Sequence, residues 1–61
     1  MIKAERQDKV RQLLEEQGTV SVKEISDALG VSDMTIRRDL EELASLGEIE
    51  RVNGGARSAQ G

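Results

Sequence analysis

Apolar residues recur along this 61-residue chain at intervals of three and four, broken by single glycines, until the pattern changes near residue 48. A first helix is predicted from about Lys3 to Gln17, with the apolar positions Ile2, Val10, Leu13 and Leu14 on one face at 3.6 residues per turn. Gly18 follows, where a glycine commonly stops a helix. Thr19-Val20-Ser21 is too short for an independent strand but suits a single bridge to a later segment. Ser21 with Glu24 makes a capping box, in which each side chain satisfies an unpaired backbone N–H at a helix start. A second helix is therefore predicted from about Val22 to Leu29, burying Val22, Ile25 and Leu29 and ending at Gly30. In the turn that follows, Val31 is the expected buried plug and Ser32 the cap of a third helix. That helix runs from about Asp33 to Leu46, with Gly47 as its terminator. Ile36, Leu40 and Leu43 form its apolar stripe, with Ala44 at the edge. Two helices joined by a short glycine-containing turn make a helix-turn-helix unit, here about residues 20–46.

The remainder, "EIERVNGGARS", has only Ile49 and Val52 as larger apolar residues. Asn-Gly between short extended stretches signals a hairpin, and a type I′ turn needs positive φ at both central residues. Asn53-Gly54 is thus expected at the tip of a two-stranded wing spanning about residues 48–58. The predicted fold class is mainly α with a small β-hairpin, a three-helix winged helix-turn-helix in one domain over residues 1–58. Residues 59–61 are small and polar, and are expected to fray. No internal repeat or linker interrupts the domain.

Composition sharpens this picture. The core must come from six Leu, four Ile, five Val and some Ala, because aromatic residues are absent. A domain of this size buries only about 60% of its unfolded surface, and without cysteine no disulfide or thiolate metal site can brace it. No apolar run approaches the roughly 18 residues of a membrane span. The charged start, "MIKAERQDKV", is unlike a signal peptide. A cytoplasmic protein without membrane contact is expected. The net charge of −3 opposes a nucleic-acid partner, for which a basic footprint is the usual mark. The basic residues are clustered, however. Lys3, Arg6, Lys9 and Arg11 lie near the start, Arg37 and Arg38 are adjacent, and Arg51 and Arg57 flank the glycine pair. Local potential at a phosphate outweighs the sum.

Catalysis has little support. With no His, Cys or Tyr, no Ser-His-Asp or Cys-His nucleophile can form. The adjacent carboxylates Glu15–Glu16 and Glu41–Glu42 point in different directions on a helix, and no metal-ligand spacing appears. Gly54-Gly55 lacks the Lys-Ser/Thr of a nucleotide phosphate loop. Neither cofactor nor metal is expected.

The third helix carries the sharper chemistry. Opposite its apolar stripe lie Met34, Arg38, Glu41 and Ser45, with Thr35 and Arg37 at the flanks. One reading is a solvated face, with Arg37–Glu41 and Arg38–Glu42 pairs worth about 0.2–0.5 kcal/mol each. The charge order disfavours it, since acid before base is the better arrangement on a helix. The other reading is a recognition helix whose first turns enter the major groove. There Arg can bond guanine through two hydrogen bonds, and Thr or Met can touch a thymine methyl.

"VSDMTIRRDLEEL" followed by "LGEIERVNGGA" resembles the N-terminal domain of DeoR-type bacterial repressors. The likeness runs from about Glu5 to Arg57. It includes Glu5-Arg6-Gln7, "VSVKEIS", "VSDMTIRRDL" and the Gly-Gly-Ala of the wing. It implies a winged helix-turn-helix that binds double-stranded operator DNA, as part of a repressor of a sugar or carbohydrate operon. Ser32, Met34, Thr35, Arg37 and Arg38 would be the DNA-facing residues of the recognition helix. Arg51, Asn53 and Arg57 would serve in the wing. In the family a His often precedes the glycine pair; here Asn53 stands there, which puts an imidazole contact in doubt. The glycines themselves suit a tight hairpin. Arg6, Ser21 and Lys23 are candidate phosphate contacts, against a structural ion pair for Arg6 and a cap for Ser21. The resemblance also implies a larger effector-binding domain, commonly for phosphorylated sugars, that assembles a homo-oligomer. The present chain would then be an excised domain, monomeric by itself. An alternative is a winged-helix module that binds protein. Whether Arg37, Arg38, Arg51 and Arg57 form one positive face discriminates the two.

Overall fold

Residues 1–59 are described by a computed structural model. The elements follow in the order α1 (Lys3–Gln17), β1 (Thr19–Ser21), α2 (Val22–Leu29), α3 (Asp33–Ser45), β2 (Ile49–Val52) and β3 (Gly55–Ser58). The strands form an antiparallel sheet in the order β1-β3-β2. This is a winged helix-turn-helix whose wing hairpin has gained a third strand. The short segment expected to make one bridge pairs β1 with β3 in a three-residue register, Thr19 opposite Arg57, Val20 opposite Ala56 and Ser21 opposite Gly55. Of the tail, Ala59 is exposed, and residues 60–61 lie outside the described residues.

Local signals explain the starts of α2 and α3. Ser21 Oγ accepts from Glu24 N at 3.0 Å, and Glu24 Oε1 accepts from Ser21 N at 3.0 Å, so the capping box is formed. Ser32 Oγ accepts from Thr35 N at 3.2 Å and opens α3. That helix ends at Ser45, one residue short of the expected end, and Leu46 is exposed.

Val10, Leu14, Val20, Val22, Ile25, Ile36, Leu40, Leu43, Ile49 and Ala56 pack into one core. Leu13, Leu29, Val31 and Ala44 are only partly buried around it, so Val31 is a rim residue and not a plug. Ile2 departs further: it caps α1 with extended backbone and is 67% exposed. Gln7 takes the inward position on the first turns instead. The reason is that α1 meets α3 there through polar groups. Gln7 Nε2 donates to Glu42 at 3.1 Å, Lys3 Nζ pairs with Glu42 at 2.7 Å, and Arg6 donates to both oxygens of Asp39. Farther along α1, Arg11 pairs with Glu48 at 2.5 Å.

The hairpin turn is not the primed type. Asn53 keeps negative φ, and only Gly54 crosses to φ +77°. A tertiary bond holds this geometry, because Val22 N donates to Gly54 O at 2.8 Å and ties the turn to the start of α2. Gly55 serves close approach, not backbone freedom. A Cβ there would lie 2.3 Å from the carbonyl oxygen of Val20 on β1, well inside van der Waals contact.

Candidate nucleic-acid interface

The buried stripe of α3 is Ile36, Asp39, Leu40 and Leu43. Side chains one turn apart on a helix share a face, so this stripe turns Met34, Arg37, Arg38 and Glu41 outward, and all four are exposed. Met34 is 66% exposed. Ser32 and Thr35 are joined hydroxyl to hydroxyl at 3.0 Å, which fixes both at the helix start. The i,i+4 pairs expected of a solvated face do not form among the described residues. Glu41 pairs with Arg51, Glu42 is taken by Lys3 and Gln7, and among the described residues the guanidinium groups of Arg37 and Arg38 have no carboxylate partner. Lys3, then Gln7, holds the Glu42 carboxyl below the ordinary carboxylate range through hydrogen bonds. The acidic end of α3 is thus occupied at its back, while its basic start projects uncompensated.

The wing places its two arginines differently. Alternate residues of a strand face opposite sides of the sheet. Thr19, Arg57 and Glu50 share one cross-strand row and are all exposed. Val20, Ala56 and Arg51 share the next row, in which Val20 and Ala56 belong to the core. Arg57 therefore lies on the outer face, where its Nη2 and Nε bond Glu50 Oε1 at 2.7 and 3.0 Å. Arg51 lies on the inner face against α3, with Nη1 3.5 Å from the carbonyl oxygen of Arg37 and 3.6 Å from Glu41 Oε2. The single positive face that would favour DNA over a protein partner is therefore not formed by all four arginines: Arg37 and Arg38 project from α3, Arg51 is turned inward to the Arg37 carbonyl and Glu41, and Arg57 is paired with Glu50 on the outer face of the sheet. Asn53 is exposed at the tip.

The sequence matches the DeoR-like helix-turn-helix domain over residues 6–61. The chain belongs to the DeoR-like helix-turn-helix family. Lactose phosphotransferase system repressors of Streptococcus mutans and Staphylococcus aureus are similar to it, at 50% and 48% identity over 58 residues. The repressor of the same name from Staphylococcus epidermidis is 47% identical over 58 residues. Each alignment covers 95% of this chain and 23% of the relative, so the chain spans about a quarter of their length. No solved structure matches.

Within this DeoR-like domain the remaining candidates divide by partner. Arg6 is engaged structurally: Nη2 donates to Asp39 Oδ1 at 2.9 Å and Nε bonds the other oxygen, leaving its side chain 15% exposed. That bond raises the Arg6 pKa above its ordinary value, so the guanidinium stays charged. Ser21 is committed to its cap. Lys23 is exposed on the first turn of α2, with Asp27 3.7 Å away. The role of Asp39 was missed although a sign of it is visible: Ile36, Asp39, Leu40 and Leu43 have the spacing of one helix face, and a charge on that face calls for a partner. No comparable sign could place Arg51 inward, because its direction depends on strand register. Among the described residues no acidic or cysteine cluster could hold a metal, and no helix is long and apolar enough to cross a membrane. A concavity of about 340 Å³ is lined by residues such as Arg11, Glu48, Ile49 and Ser58, none of them on the outward start of α3.

Proposed function

We propose that this DeoR-like domain reads double-stranded operator DNA for a bacterial transcriptional repressor of a sugar or carbohydrate operon, with α3 as the reading helix. The observation that carries this reading is the outward start of α3, where Arg37 and Arg38 have no carboxylate partner among the described residues and stand beside exposed Met34. Ion-paired arginines would have to exchange a carboxylate for a base or phosphate. These two are available without that exchange, and the i,i+4 stabilisation that would explain them otherwise is absent. Ser32 and Thr35 complete the base-facing start of the helix, with Asn53 and Arg57 in the wing and Lys23 as a phosphate contact. The role is binding, not catalysis. The names of the relatives, lactose phosphotransferase system repressors, support the sugar-operon assignment. In the full-length protein, effector binding (a phosphorylated sugar) and homo-oligomer assembly would belong to the three-quarters of such relatives that this chain does not align with.

Selection of bound duplexes from a random DNA pool, followed by sequencing, tests the reading. A defined half-site is expected. Arg37→Ala or Arg38→Ala should each cost about 1–3 kcal/mol on that site if the side chain bonds a guanine, and relax the preference at one position. A chain that enriches no sequence, or two variants that bind the selected site as the parent does, would refute it.

A further inference from the structure

Arg51 occupies a position where a charge is out of place. Its neighbours across the sheet, Val20 and Ala56, are core residues, and the preceding inward residue of β2, Ile49, is core as well. Its side chain is 25% exposed, and its Nε is buried with no hydrogen-bond partner among the described residues. An orphaned buried donor is a standing cost that an apolar side chain of similar shape would avoid. Both contacts the guanidinium makes lie on α3, at the Arg37 carbonyl and the Glu41 carboxylate, one turn apart. The head of Arg51 thus spans the gap between β2 and α3.

We propose that Arg51 is a positioning residue for base readout: it braces β2 against α3 and sets the orientation of the turn that carries Arg37. It is not itself a phosphate contact. This rests on the DNA-binding reading of α3. A phosphate contact would extend into solvent, as Arg57 does on the outer face, whereas the Arg51 Nε is shielded from any incoming anion. Recognition through two hydrogen bonds is sensitive to small rotations of the donor. A brace one turn from Glu41, at the carbonyl of Arg37 itself, therefore acts on sequence discrimination more than on general affinity.

The test uses Arg51→Met, which keeps the stem and deletes the charge, and Arg51→Lys, which keeps the charge but cannot span both contacts. Arg57→Ala is the comparison. Each is titrated with a duplex carrying the half-site selected from random DNA and with a scrambled duplex of equal length, over a range of salt concentrations, and its Tm is recorded. Both Arg51 variants should lose about tenfold in preference for the selected duplex, comparable to one lost base contact. Their affinity for the scrambled duplex and their salt slope should be unchanged. Arg51→Met should melt no lower than the parent, because the orphaned donor is gone. A fall of about one in the salt slope with equal losses on both duplexes would show Arg51 to be a phosphate contact and overturn the proposal. Full retention of preference by both variants would overturn it as well, while leaving DNA binding by α3 intact. Absence of salt-dependent binding by the parent chain would remove the DNA reading itself, and this proposal with it.

Discussion

Replacing Asp39 by alanine strips the acceptor from two Arg6 donors at the point where α1 meets the back of α3. Asp39 is 3% exposed, so nothing in solvent can substitute for it without opening the seam. Removing one partner of a buried ion pair costs about 3–5 kcal/mol. Arg6 keeps some access to water at 15% exposure, which places the expected loss near the lower end, about 3 kcal/mol. At about 0.05–0.15 kcal/mol per residue, the whole domain is stable by about 3–9 kcal/mol. The variant should therefore sit close to its unfolding threshold at room temperature. Each kcal/mol corresponds to about 4–8 °C in a domain this small, so Tm should fall by roughly 12–24 °C. Urea denaturation followed by circular dichroism measures the free-energy loss, and a thermal melt measures the fall in Tm. The decisive companion is Arg6→Met with Asp39→Leu. Replacing both charges by apolar groups removes the desolvation cost along with the attraction, and such exchanges are often neutral or better. The double variant should recover most of the loss. A loss below about 1 kcal/mol for Asp39→Ala would place the pair among ordinary surface ion pairs. A double variant no more stable than Asp39→Ala would show that the orphaned Arg6 charge is not the cause. Since pairing raises the Arg6 pKa, its contribution is present below the unfolded arginine value and is lost only as pH rises through the still higher folded value. The Arg6 side of the pair therefore imposes no pH dependence near neutrality.

Ser21→Ala should lose half of the capping box and about 1 kcal/mol of stability, read from the urea midpoint at unchanged slope. Gly55→Ala should be more damaging, because its Cβ would meet the Val20 carbonyl at 2.3 Å and force β1 off β3. Strain of about 1–3 kcal/mol is expected, with amide exchange rising at Val22 N and Ser58 N, the bonds that flank the β1–β3 pairing. Glu42 titrates below its ordinary value, chiefly through Lys3 and then Gln7. Its contribution is therefore complete above the unfolded carboxyl value of about 4.3 and is lost as pH falls through the lower folded one. Glu42→Gln should narrow the difference between stability at neutral pH and in acid, as measured by denaturation midpoints from pH 7 down to pH 3. Curves for the two proteins that stay parallel through the acid range would contradict this assignment.

Helices and their starts were legible in the sequence because the physics that forms them is local. Ser21 and Glu24 reach each other across one turn whatever the rest of the chain does, and Ser32 needs only Thr35. The stripe of Ile36, Leu40 and Leu43 likewise needs only helical spacing, so the outward set of Met34, Arg37 and Arg38 could be named before any fold was known. What α1 shows its neighbours was not legible. Periodicity favours Ile2 on the buried face, but Glu42 and Asp39, distant in sequence, make that corner polar and draw in Gln7 and Arg6. The same limit applied to the wing. Asn53-Gly54 announces a turn, yet its type was settled by the bond from Val22, and Gly55 was needed for the approach of β1, a strand too short to declare itself. Arg51 and Arg57 look equivalent along the chain, an even number of residues apart. The turn between them breaks the alternation, and cross-strand register then sends one side chain toward α3 and the other to solvent. Register is a property of two segments together, which is why only the tertiary structure could separate the brace from the exposed cation.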